Sequence, residues 1–282
     1  MIEEQFNELG LSPFNTYYWE YQYKLGKEYI VPHLQHLGFS PKGKSVCEIG
    51  SAEGGVLFAI KESGAMNCLA TDIAQTRLDA GELIAKNFGY SINFVNHNII
   101  EDKIPSNWLN CFDLVILRDV IEHLDDALIA LTNLKKIMKP SGWLYVTFPP
   151  YYSPFGGHQH LLQISIGKVP FIHWLPDSIL NTLIKNGRSA DLNEVKRLRS
   201  IRLTVKKFLT SVRNSGLTIL HSDFFIVRPV YKFKFGLKPI PLPKPFSSTF
   251  LREVLATEAS FILVKNGHNE VRKDNFRQKS ST

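Results

Sequence analysis

Cysteine is scarce in this chain and long apolar runs are absent. Its three cysteines, Cys47, Cys68 and Cys111, sit at or next to predicted strands. They read as small buried hydrophobes in a reducing compartment, which excludes a disulfide or zinc framework. No apolar run reaches the ~18 residues that a transmembrane helix needs. The start, Met1-Ile-Glu-Glu-Gln5, is acidic and lacks the apolar core of a secretory signal, so a cytoplasmic protein is the expectation. Internal repeats and low-complexity blocks are missing too. What is present suffices for a full core: 282 residues with 44% hydrophobic content fit one α/β domain carrying a sizeable insertion. The net charge of +7 comes largely from 185–207 and from the tail after Lys265. Such runs read first as a solvated helix face and a tail, and second as a patch for nucleic acid, anionic lipid or an acidic substrate.

Strand and helix patterns alternate over 44–148, which predicts a parallel sheet with helices on both faces. Strands are predicted at 44–49, 67–72, 92–96, 112–117 and 143–148, with helices at 54–63, 75–88 and 126–138. Phe112-Asp-Leu-Val-Ile-Leu117 is a continuous apolar run, typical of a strand covered on both sides. Lys139-Pro-Ser-Gly142 reads as the stop of the preceding helix. The pattern then breaks. Residues 149–201 are rich in aromatics, Gly and Pro, with a short helical stretch near 177–186, and read as a substrate-side insertion over the sheet's C-terminal edge. A helix at 202–215 and strands at 217–228 and 258–265 follow, separated by a proline-punctuated cationic loop, 232–245. Residues 1–40 form an aromatic helical cap, 41–265 the main domain, and 266–282 a polar, basic tail expected to be disordered.

The most telling stretch is Ser45-Val-Cys-Glu-Ile-Gly-Ser-Ala-Glu-Gly-Gly55. A short strand runs into a glycine-rich turn that opens a helix, which is the context of a nucleotide-type site. Glu48 sits at the strand end, where a pyrophosphate would meet a like charge in a partly desolvated cleft. A ligand with an ammonium and no phosphate suits that carboxylate.

Four motifs in order resemble the class I S-adenosylmethionine-dependent methyltransferases. They are Glu48-x-Gly50-x-x-x-Gly54, Asp72 at the end of the second strand, Phe112 to Leu124, and Lys139-Pro-Ser-Gly-Trp143. The resemblance implies a doubly wound, Rossmann-like α/β sheet of seven strands, mostly parallel, in the order 3-2-1-4-5-7-6 with the last strand antiparallel. It also implies S-adenosylmethionine as methyl donor, held by Glu48, Gly50, Ser51, Gly54, Asp72, Ile73, Asn98 and Arg118. Asp72 would receive the ribose hydroxyls, since a carboxylate can accept from two vicinal hydroxyls. Asn98 stands where the family usually has an aspartate near the adenine amino group.

Transfer to a hydroxyl or a protonated nitrogen is helped by a general base. Two groups compete for that role: His158, with His160 beside it, just past the fifth strand, and His123 after the fourth. Asp119, Glu122 and His123, with His158 or His160, are also a candidate set for a divalent cation, although no metal is expected. The aromatic segments Tyr17-Tyr-Trp19 and 148–155 serve equally as acceptor walls or as packing. Lys234, Lys238 and Lys244 could rest on a membrane surface, ranked below a plain solvated loop. The reading is O-methylation of a small-molecule acceptor, with no nucleic-acid partner expected. Alternatives are an RNA methyltransferase, a nicotinamide-dependent oxidoreductase (which would prefer Gly-x-Gly-x-x-Gly) and a non-catalytic cofactor-binding module.

Overall fold

The computed structural model describes residues 6, 9–243 and 248–266. The chain enters through α1 (Pro13–Leu25), where Ser12 caps the first turn by accepting from the Asn15 amide. One π-type turn (Gly26–Ile30) leads on into α2 (Val31–His36). There follow β1 (Ser45–Ile49), α3 (Gly55–Glu62), β2 (Asn67–Asp72), α4 (Gln75–Asn87), β3 (Asn93–Asn96), β4 (Phe112–Arg118), α5 (Ala127–Ile137) and β5 (Met138–Phe148). After these come α6 (Asp177–Ile184), α7 (Ser189–Ile201), α8 (Val205–Asn214), β6 (Leu217–Val227), α9 (Val230–Phe235), β7 (Ile240–Pro241), α10 (Thr249–Leu255) and β8 (Glu258–Lys265).

The eight strands form one sheet in the order β3-β2-β1-β4-β5-β8-β6-β7. β1 to β5 pair in parallel, and β8 runs antiparallel between β5 and β6. This is the inferred seven-strand order, with the two-residue edge strand β7 added against β6. Alternation along β4 divides the core. Val115 and Leu117 face Leu131, Leu134, Phe208 and Phe261 on one side, and Leu114 and Ile116 face Leu57, Leu34, Trp19 and Tyr145 on the other. A fully buried Phe such as Phe208 contributes about 1.5–3 kcal/mol relative to exposure. The order reverses between β1 and β4, so a crevice opens at their carboxyl ends, the usual place for a ligand in such a sheet.

Two expectations need correction and one a refinement. Lys139-Pro-Ser-Gly142 follows the end of the helix at Ile137 as expected, but it lies within β5, which starts at Met138. Its four residues pair with neither neighbour, since the register with β4 passes from Phe112 opposite Met138 to Leu114 opposite Trp143. A bulge tolerates proline there because its missing donor costs no ladder bond. The insertion holds a second helix, α7, which buries only Val195 and Leu198, so its charged remainder hid the periodicity. With Leu162, Ile172, Leu180 and Ile184, Val195 makes a small core of its own. The 232–245 segment is not all loop, since α9 and β7 occupy part of it. Lys244 and all of 266–282 except Asn266 lie outside the described residues. Among the described residues no helix is long and apolar enough to cross a membrane.

Candidate active site

β1 delivers Glu48 to the crevice, buried and flanked by Ala70 of β2 and Ile116 of β4. Burial pushes its carboxyl up to about 8, against the opposing pull of Arg118. Its Oε2 has no hydrogen-bond partner among the described residues. The turn beyond it is forced to be glycine at two points. Gly50 has φ +68°, and a Cβ there would lie 2.3 Å from Val120 Cγ2. At Gly55 a Cβ would lie 2.6 Å from the Trp19 carbonyl oxygen, so α1 presses directly on the start of α3. Glu48, Gly50, Ser51 and Arg118 line a small cleft of about 60 Å³, which Tyr18, Gln22 and Asp119 close from the other side. Gly54, with φ +76°, opens the helix below it.

Asp72 ends β2. Its Oδ2 accepts from the Ala52 amide at 2.8 Å and its Oδ1 from the Ala74 amide at 2.9 Å. One lone pair on each oxygen stays free for hydroxyls. Ile73 next to it is 72% exposed, an apolar platform at the crevice rim. The Asn98 carboxamide oxygen accepts from the Ile100 amide at 3.0 Å, which fixes the side chain within its own loop and leaves one lone pair of that oxygen free. A buried pair that the sequence did not announce braces the turn: Arg77 Nε donates to Glu53 Oε1 at 2.8 Å, and its guanidinium lies 3.9 Å over the Tyr18 ring.

A second cavity of about 520 Å³ adjoins the first, sharing Tyr18, Gln22 and Asp119 with it. Its walls are aromatic and apolar (Tyr21, Phe155, Pro149, Tyr231, Phe235, Leu237), while Arg228, Lys234, Lys168, His158 and His160 bring polar groups. Lys234 does not lie out on a surface. Its ammonium sits 4.3 Å over the Tyr21 ring, and burial, with Arg228 nearby, pulls it down to about 8. Asp119 stands at the junction in a left-handed conformation, φ +53°. Burial raises its pKa, but Arg228 and Arg118 outweigh that and hold it below the usual carboxylate range. Arg228 Nη2 reaches Asp119 Oδ2 at 2.6 Å and Glu258 Oε2 at 2.8 Å.

The histidines divide by environment. His158 lines the large cavity; burial, then the neighbouring His123 and His160, drives its pKa well below the ordinary imidazole value. His123 does not line it. Burial pulls His123 down, yet its bond to Glu194 Oε1 (2.6 Å from Nδ1) and the Glu122 charge raise it overall. A neutral imidazole therefore faces the cavity, with His123, whose pKa is raised, behind it at a ring separation of 4.9 Å. The set considered for a cation is brought together only in part. Asp119 is taken by Arg228, and His160 packs edge-on to Phe155. Glu122, His123 and His158 do cluster within 4.8 Å, with Glu122 raised to about 8 by burial.

The basic residues of 185–207 lie mostly on the exposed surface, as the solvated-face reading expects, and several are tied down locally. Arg199 donates to the carbonyls of His173 and Leu175, Lys207 to that of Ile201, and Arg188 pairs with Asp191. Sequence reasoning missed Gln22, Arg228, Glu194 and Glu258. Only the aromatic run containing Tyr18 gave a signal for the α1 wall.

Known proteins share sequence and fold with this chain. A family model described as "Methyltransferase domain" matches residues 18–183. A "Ubiquinone biosynthesis O-methyltransferase" from Rickettsia canadensis is 27% identical over 115 residues, 41% of this chain and 47% of the relative. One of the same name from Actinobacillus pleuropneumoniae is 29% identical over 107 residues, 36% of this chain and 44% of the relative. The match therefore spans under half the length of these curated relatives. Among solved structures, an S-adenosylmethionine-dependent methyltransferase from Clostridium acetobutylicum aligns with TM-score 0.54 at 11% identity, covering 87% of this chain and 92% of that one. One from Mesorhizobium loti aligns with TM-score 0.52 at 15% identity, covering 82% and 95%. At these identities the structures speak for the fold alone.

Proposed function

This chain belongs to the S-adenosylmethionine-dependent methyltransferase family, and on that premise we propose that it methylates a hydroxyl of a small aromatic acceptor bearing an anionic group. The observation that carries this reading is the pair of adjoining cavities meeting at Asp119, with a neutral His158 in the larger one. Flat aromatic walls suit a ring, and Arg228 and Lys234 supply positive charge for a carboxylate or similar anion. Both curated relatives are named as O-methyltransferases, which supports oxygen as the acceptor atom.

S-adenosylmethionine supplies an activated methyl carbon, which the acceptor oxygen takes in line as the carbon–sulfur bond breaks and S-adenosylhomocysteine leaves. Glu48 fits the donor's ammonium, because its Oε2 is buried without a partner and a cation beside it would restore the ionised form. Arg118, which accepts no bond but donates to Gln22 Oε1 at 2.7 Å, offers its remaining N–H groups to the donor's carboxylate. The cleft at about 60 Å³ is tight, so Tyr18 and Gln22 shift as the methionine end enters. Gly50, Ser51 and Gly54 shape the turn, Asp72 takes the ribose, Ile73 packs on the adenine, and Asn98 borders it. His158 removes the acceptor's proton.

Two tests follow. Methyl transfer from labelled S-adenosylmethionine should favour hydroxyaryl carboxylates over neutral phenols and over aryl amines, giving a base-stable ether. Transfer to amines alone would overturn the oxygen assignment. In calorimetry, Asp72→Ala should weaken S-adenosylhomocysteine binding by roughly 10- to 100-fold, the worth of one or two hydrogen bonds to a charged acceptor. An unchanged affinity would remove Asp72 from the ribose site.

A further inference from the structure

Away from both cavities, three ligand-type side chains converge where the N-terminal helices meet the sheet: His33 on α2, and His221 and Asp223 on β6. One donor atom from each lies within 4.8 Å of the others. His221 Nε2 is 2.9 Å and His33 Nε2 3.6 Å from the same oxygen, Asp223 Oδ2. The strand is irregular at just this point. Ile219 pairs with Leu263 but His221 pairs with Ile262, so one extra residue is bulged out at Leu220. Leu263 belongs to the core on the α5 and α8 side, whereas Ile262 belongs to the core under α1 and α2. Without the bulge, His221 and Asp223 would point to the α8 side. The bulge turns both toward His33.

The His33 ring is held in position. Tyr29 stacks on it at 5.6 Å with an interplanar angle of 7°, and the His221 ring stands edge-on at 5.8 Å. Its Nε2 is buried with no hydrogen-bond partner among the described residues, although it points at the Asp223 carboxylate. A buried donor-acceptor atom left in that state costs free energy unless something occupies the gap.

We propose that His33, His221 and Asp223 form a binding site for one borderline divalent metal ion (Zn²⁺, Co²⁺ or Ni²⁺) that clamps the N-terminal helices to β6. Two imidazoles and one carboxylate suit these ions and not Mg²⁺ or Ca²⁺, which prefer all-oxygen shells. Tetrahedral bonds of about 2.0–2.1 Å need donor atoms about 3.3 Å apart, so the three close by small side-chain shifts. His221 and Asp223 are 36% and 33% exposed, which leaves an entry path and a fourth position for water. None of the three lines the donor cleft or the large cavity, and the site stands whether or not the acceptor is the one proposed above. Its effect on the enzyme runs through α1, the helix that carries Tyr18, Tyr21 and Gln22.

The test is titration of tag-free, full-length protein with Co²⁺, read by visible d–d absorption, beside the melting temperature with and without Zn²⁺. Asp223→Asn is nearly isosteric and His221→Ala sits at a partly exposed position, so both variants should fold, as circular dichroism will verify. His158→Ala controls for the other cluster, Glu122, His123 and His158. The expected result is one equivalent of Co²⁺, and a Zn²⁺-dependent rise in melting temperature, lost in both β6 variants and retained in His158→Ala. Absence of Co²⁺ binding by folded wild-type protein overturns the proposal, as does binding that survives either β6 variant. Equal binding of Mg²⁺ overturns the assignment to a borderline metal.

Discussion

His158→Ala is expected to slow methyl transfer by roughly 10²- to 10⁴-fold, the usual worth of a positioned general base, while S-adenosylhomocysteine binds as before. The separation follows from placement, because His158 lines the large cavity and is not among the residues around Glu48 and Gly50. His158 has φ +53°, so His158→Asn serves as the companion variant, asparagine tolerating the left-handed conformation better than alanine. The pH profile identifies which histidine acts. A base works deprotonated, and burial with the neighbouring His123 and His160 depresses the His158 pKa. Its acid limb should therefore lie below the ordinary imidazole value of about 6.5. If His123 were the base, its raised pKa would put the limb above that value. Full turnover in both variants, or an acid limb on the high side, would move the role to His123.

The strand, turn and helix that carry the proposed donor residues were legible because they are local. Glu48, Gly50, Gly54 and Asp72 follow from strand, turn and helix signals within a short stretch of chain, where each residue type is constrained by its own backbone. Alternating elements announced the parallel sheet, whereas its strand order came with the family resemblance that the motifs carry. The wall of the larger cavity was legible only in part, through His158, His160 and the aromatic run. Arg228 meets Asp119 across 109 positions, and nothing in the sequence around Arg228 announces a buried cation. Glu194 belongs to α7, whose charged surface conceals the two buried positions that make it a helix. Lys234 looked like part of a solvated basic loop, yet α9 turns it over Tyr21. The run Tyr17-Tyr-Trp19 held both of its readings at once. Trp19 is packing, 5% exposed, while Tyr18 lines both cavities. Periodicity reports which face of an element is apolar, but the partner that a charged side chain meets is decided by tertiary packing.

That dependence makes Arg228 the residue on which stability should turn most sharply. It is 11% exposed and holds two carboxylates, Asp119 and Glu258, whose own exposures are 32% and 5%. Arg228→Met keeps much of the side-chain volume and leaves both acids facing each other without their cation. Breaking a buried pair in this way typically costs 3–5 kcal/mol, because an uncompensated charge remains behind. Asp119 keeps contact with water, so the expected loss is about 3 kcal/mol, a sizeable part of the 5–15 kcal/mol that holds a typical domain folded. The pH dependence has a definite sign. Despite burial, Arg228 and Arg118 hold Asp119 below the usual carboxylate range, so its contribution is present above its unfolded value near 3.9 and is lost as pH falls through the folded one. The variant lacks most of that contribution, and its two acids take up protons more readily. The gap between wild type and Arg228→Met should accordingly be widest near pH 7 and narrow toward pH 4. Adding Asp119→Asn to Arg228→Met should restore part of the loss, since one of the two unpaired charges is then gone. Urea unfolding of wild type, Arg228→Met, Asp119→Asn and the double variant at both pH values measures this cycle. A loss under 1 kcal/mol at pH 7, or a gap that widens in acid, would show that the ion cluster at the junction of the two cavities is not what holds β6 and β8 to the turn after β4.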